Sequence, residues 1–151
     1  MLYSHSRDRV PFTFPTNRQL RIKGCLTHEA LAKPDCFDIN GNPCLLVMKD
    51  GNSTGLTVGR CAGLEVYLCD ELDVESTEVA IYNYDSKSGP FCDYGDSGSL
   101  IFDGEGRMVG LLHSAVRKDD GDFVTYATPA WWVIEQLRLK YPHADSDRMT
   151  F

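Results

Sequence analysis

The sequence predicts a mainly β chain: an antiparallel six-stranded β-barrel, preceded by an extended arm and followed by one helix. Three observations point there. Short apolar runs recur between turn signals from residue 43 to residue 127, the texture of a barrel or sandwich. The period changes to helical only after Thr128-Pro129. The chain has 151 residues, 42% of them hydrophobic and 25% charged, which suits one soluble domain with a buried core.

Residues 1–42 read as the arm, mostly irregular and punctuated by Pro11, Pro15 and Pro34. One short helix fits at 27–32, with Thr27 as N-cap and Pro34 beyond its end. Residues 43–142 form the barrel and its helix, and 143–151 a tail. The first strand is the run 44–48, ended by a turn expected at Lys49-Asp50-Gly51-Asn52. A second covers 54–60, with Leu56 and Val58 on one face, and a third carries Leu64, Val66 and Leu68. Val79, Ile81 and Tyr82 mark a fourth, before a loop over 83–95. Strands at 99–102, 108–116 and 123–127 follow, separated by turns at 103–106 and 118–121. Thr128 then reads as an N-cap with Pro129 at the first helical position, and Ala130, Ile134, Leu137 and Tyr141 share a helical stripe that Pro142 ends.

Charge and cysteine usage narrow the function classes. A net charge of -7 opposes binding to nucleic acid or to an anionic membrane surface, both of which need a basic face. No apolar run approaches the roughly 20 residues that span a bilayer, and Arg7, Asp8 and Arg9 stand where an export signal would be apolar. These features do not assign a location, though they favour an intracellular one over an exported one. Cys25, Cys36, Cys44, Cys61, Cys69 and Cys92 show no Cys-x-x-Cys spacing, so no metal site and no cofactor is expected, and free, mostly buried thiols are the simplest state.

The chemistry-bearing string is Gly95-Asp96-Ser97-Gly98-Ser99, in a loop that runs into a strand. A serine that attacks a carbonyl needs a turn that exposes its hydroxyl and backbone N–H groups near the developing oxyanion. Downstream come the strand Met108-Val-Gly-Leu-Leu-His-Ser-Ala115, then Phe123-Val-Thr-Tyr-Ala-Thr-Pro129 leading into the terminal helix. Upstream stands the glycine-punctuated segment 51–59. In this order, residues 51–141 resemble the second barrel of a trypsin-like (chymotrypsin-fold) serine peptidase, most of all its disulfide-poor bacterial, viral and fungal branches.

The resemblance implies half of a double barrel, with Ser97 as nucleophile and the N–H groups of Gly95 and Ser97 as oxyanion hole. It implies a pocket lined by Phe91, His113, Ser114 and Ala115, and a peptide or protein substrate paired along 112–115. In activated members the counterpart of Asp96 pairs with a newly cut N-terminus; here local backbone N–H groups are the expected partners. The family's general base and its carboxylate come from the first barrel. His5 and His28 are the histidines upstream of Ser97, and neither has the family's sequence context. His28 reads as a surface histidine; the alternative pairs it with Asp35, Asp38 or Asp50 in a rearranged triad. The function expected is the nucleophile-bearing part of a serine endopeptidase, inactive alone. The alternative is a non-catalytic peptide- or protein-binding barrel. A missing first-barrel segment, self-association, or cover by Phe12, Phe14, Leu20 and Ile22 would complete the open face of a half fold.

Overall fold

The computed structural model describes residues 20–34, 36–37, 41–69, 75–117 and 123–144. His5, Phe12, Phe14, Asp35, Asp38 and the turn expected at 118–121 lie outside them. In chain order the elements are α1 (His28–Leu31), β1 (Cys36–Phe37), β2 (Pro43–Gly51), β3 (Gly55–Cys69), β4 (Glu75–Asn83), β5 (Leu100–Asp103), β6 (Met108–Arg117), β7 (Phe123–Pro129) and α2 (Ala130–Lys140).

Strands with one apolar face must cover that face, and six of these do so by closing on themselves. The antiparallel order is β2-β3-β4-β7-β6-β5, and β2 pairs with β5 as well as β3, which completes the barrel. β1 pairs with the start of β2, Cys36 opposite Cys44, and lies outside the closed set. The core gathers Leu45, Val47, Cys61, Val79, Ile81, Ile101, Val109, Leu112 and Ala127, with Phe91 entering from the loop after β4.

The arm contributes to that core from residue 23 onward. Lys23 N–H donates to Gly106 O, Met108 N–H to Gly24 O, and Leu26 N–H to Met108 O, so the segment lies beside the start of β6. Leu26 and Leu31 are buried in the main cluster, while Leu20 and Ile22 are half-buried. α1 forms where its cap predicts: Thr27 is the N-cap and its hydroxyl accepts from Ala30 N–H.

Five local expectations need correction. Lys49 and Asp50 belong to β2 rather than a turn, which sits at 52–54; Lys49 can stay in the strand because its charge finds a partner inside. The strands expected at 54–60 and 64–68 are one 15-residue strand, β3, bent by a register shift between Cys61 and Glu65. Its inner face carries Gly59 and Cys61, and Leu56 is 53% exposed. The reason is Phe91: a Cβ on Gly59 would stand 2.7 Å from its ring. Finally, Pro129 rather than Thr128 caps α2, because both residues are still paired to β6, opposite Gly110 and Leu111. α2 packs on β6 and β7 mainly through its first turn, with Ala130 buried, so Leu137 and Tyr141 of the expected stripe face solvent.

Candidate active site

The Gly95–Ser99 string occupies the loop that crosses from the strand-free stretch after β4 into β5. Its shape is set by Asp96, whose side chain is fully buried. That carboxylate accepts from Ser53 N–H at 2.8 Å, Asp93 N–H at 3.1 Å, Thr54 N–H at 3.3 Å and the Thr54 hydroxyl at 2.7 Å. The ammonium of Lys49, equally buried, is 3.0 Å away and also donates to Thr54 Oγ1 and Gly55 O. Burial acts to raise the Asp96 carboxyl; the Thr54 hydroxyl, Ser53 N–H, Lys49 and Asp93 N–H overcome it and hold the group well below the usual carboxylate range. Backbone N–H groups were the partners expected for Asp96, and they are present. The ammonium is an addition that sequence reasoning missed.

Space for this pair depends on glycine. A Cβ on Gly51 would fall within the Asp96 carboxylate and 2.8 Å from Lys49 Nζ. Gly95 holds φ +96°, the left-handed region that glycine enters freely, and a Cβ there would stand 2.5 Å from Ser53 Oγ.

With Asp96 anchored inward, Ser97 is turned outward and exposed. Gly98 N–H donates to Leu112 O at 2.7 Å and Leu112 N–H to Ser99 O at 3.0 Å, which ties the loop to the middle of β6. Ser97 Oγ makes one long contact, 3.4 Å, donating to the His113 carbonyl. Among the described residues no acceptor takes the N–H of Gly95 or of Ser97. Two unoccupied donors in the loop of an exposed hydroxyl can serve an anion developing at a carbonyl under attack.

His113 and Ser114 lie at the register shift of β6 against β7 and are both exposed. The His113 ring does not contact Ser97 Oγ. Its Nδ1 is 2.9 Å from Ser114 Oγ, and its Nε2 is 2.9 Å from Oε2 of Glu78, a carboxylate only 8% exposed. Ala115 follows on the same exposed stretch, whose pairing with β5 ends at Leu111. Among the described residues one edge of 113–117 is therefore open while β7 holds the other. Phe91 is buried at 1% exposure beneath the loop; its carbonyl accepts from Thr57 Oγ1, and Lys49 Nζ lies 5.7 Å from its ring centroid.

His28 stands elsewhere. Its Nε2 is 3.2 Å from Glu65 Oε2, and its ring meets Trp131 edge-on at 5.6 Å. Asp50, one of the carboxylates considered for it, is exposed in β2 opposite Leu56. Among the described residues no histidine ring hydrogen-bonds to Ser97 Oγ, and no group of three or more His, Cys, Asp and Glu side chains could hold a metal ion.

Lys49 and Glu78 are the site residues that sequence reasoning overlooked. A signal for Lys49 was present, since Leu45, Val47 and Lys49 continue one period-2 face. None marked Glu78, which only the barrel brings to His113.

The closed antiparallel barrel has a counterpart among solved structures. The chain is similar to the crystal structure of Cellulomonas bogoriensis chymotrypsin, with a TM-score of 0.50 and 12% identity, over 78% of this chain and 52% of that one. It thus spans about half the length of that structure, and at this identity the likeness concerns the fold alone. No protein-family profile matches the chain. Nor does any curated protein sequence.

Proposed function

We propose that this barrel is the nucleophile-bearing half of a chymotrypsin-like serine endopeptidase, in which Ser97 attacks the peptide carbonyl and the N–H groups of Gly95 and Ser97 receive the oxyanion. One observation carries the reading: an exposed serine whose own N–H and that of Gly95 have no acceptor among the described residues, in a loop locked by a fully buried Lys49–Asp96 pair. The open edge of 113–117 would pair with an extended substrate, and Phe91, His113, Ser114 and Ala115 would line or underlie its pocket.

A serine without a base keeps only oxyanion and binding effects, about 10³- to 10⁴-fold over water. The base for Ser97 is therefore supplied by a further barrel that docks on this one, and Ser97 of this chain alone cleaves no peptide bond at a useful rate. A peptidyl boronic acid separates these statements. The boronate should form a tetrahedral adduct at Ser97, lost in Ser97→Ala; absence of any adduct would sink the oxyanion-hole reading. Rapid stoichiometric labelling of Ser97 by a fluorophosphonate would instead refute the need for an outside base.

The open edge of β6 also favours the second reading, a barrel that binds peptides by strand addition without cleaving them. Peptide binding unchanged by Ser97→Ala, with no boronate adduct, would select it.

A further inference from the structure

We propose that Ser114, His113 and Glu78 form a second acyl-accepting site, independent of Ser97, that takes small activated esters. A hydroxyl becomes a nucleophile when a base lies within hydrogen-bond reach and a third group orients that base. Ser114 Oγ and His113 Nδ1 are 2.9 Å apart, and His113 Nε2 is 2.9 Å from Glu78 Oε2. Among the described residues Ser97 has no such neighbour.

Glu78 gives the arrangement its direction. Its side chain is more than nine-tenths buried, and Oε2 has no hydrogen-bond partner other than the His113 imidazole that lies 2.9 Å away. A buried carboxylate without a partner is costly, so the contact favours a hydrogen on Nε2 and leaves the lone pair on Nδ1, facing Ser114. The register shift in β6 between Leu112 and Ser114 is what gives His113 and Ser114 adjacent positions on an exposed stretch. Glu78 arrives from β4, which pairs with β7 at the neighbouring Val79–Ala127 position.

In acyl transfer, Ser114 Oγ attacks the ester carbonyl while its proton passes to His113 Nδ1. The bond to the leaving phenolate breaks as Nδ1 returns that proton to it. Water, deprotonated at the same nitrogen, then attacks the acyl-serine; the acid departs and Ser114 recovers its proton. The relay supplies base and orientation, so its fitting substrates are activated acyl donors such as aryl esters.

The test is p-nitrophenyl acetate on the full chain, followed by trypsin and mass mapping. Residues 108–117 form one tryptic peptide whose single serine is Ser114, and residues 88–107 another that holds Ser97. The expected result is a burst of p-nitrophenol with one acetyl group on Ser114. Ser114→Ala should abolish it, and His113→Gln should slow it roughly 100-fold or more. Glu78 is a positioning residue: Glu78→Gln should lower the acylation rate constant with KM unchanged. Acetyl found only in residues 88–107, acetyl on residues 108–117 that survives Ser114→Ala, or no burst at all would each overturn the proposal. Acetylation confined to Ser97 would at the same time show that serine to be reactive, so the two readings fail separately.

Discussion

Replacing Lys49 by methionine keeps the length of the side chain and removes its charge. Lys49 and Asp96 are both fully buried, 3.0 Å apart, and the ammonium also serves Thr54 and Gly55. Removing one member of a buried ion pair leaves an uncompensated charge and costs about 3–5 kcal/mol. The N–H groups of Ser53, Thr54 and Asp93 still face Asp96, so the lower part of that range is expected, about 3 kcal/mol. That is a large share of the roughly 5–15 kcal/mol that holds a domain together. Urea unfolding should show it as a lower midpoint at unchanged slope, because the surface exposed on unfolding is the same. The acid limb gives a second check. Asp96 is held below its ordinary pKa of about 3.9, so its ionisation stabilises the fold above that pH and the contribution is lost as pH falls below it. Lys49→Met removes one of the groups that lower this pKa, and the stability loss on acidification should become smaller. A change under about 1 kcal/mol at neutral pH, the value of an exposed pair, would mean that water reaches the ammonium and would refute the locked-loop argument.

Two further outcomes follow from burial. Cys61 is fully buried, and desolvation, opposed by Gly63 N–H and reinforced by Cys44, pushes its thiol up to about 11. It should resist iodoacetamide at pH 8 in the folded chain and react once the chain is unfolded in urea, with peptide mapping as the readout. On α2 and its C-cap, Trp132, Leu137, Leu139 and Tyr141 are 45%, 44%, 73% and 54% exposed. If this surface drives association, sedimentation velocity should show a larger species with rising concentration, and Leu137→Glu with Leu139→Glu should abolish it.

Much of the barrel was legible in the sequence because its strands are short, apolar and set apart by glycine and aspartate turns. Asp103 shows why such turns are readable: its carboxylate accepts from Glu105 N–H and Arg107 N–H within five residues, a purely local device. The errors came where a distant group overrode local preference. Lys49-Asp50-Gly51-Asn52 has turn composition, yet Asp96, nearly 50 residues away in the chain, draws Lys49 into the barrel. Leu56 is apolar, yet Phe91 fills the space beside Gly59 and the strand turns Leu56 to solvent. The stripe on α2 has helical spacing, yet the helix engages the barrel mainly near Ala130, and Leu137 stays exposed.

By itself the sequence determined a mainly β fold and the identity of an exposed serine loop, since both depend on short-range period and turn chemistry. Only the tertiary structure decided that the sheet closes through β2 and β5, that a buried ammonium holds Asp96, and that Glu78 reaches His113. Those are pairings between strands far apart in the chain, and their energy depends on burial, which no local stretch of residues contains.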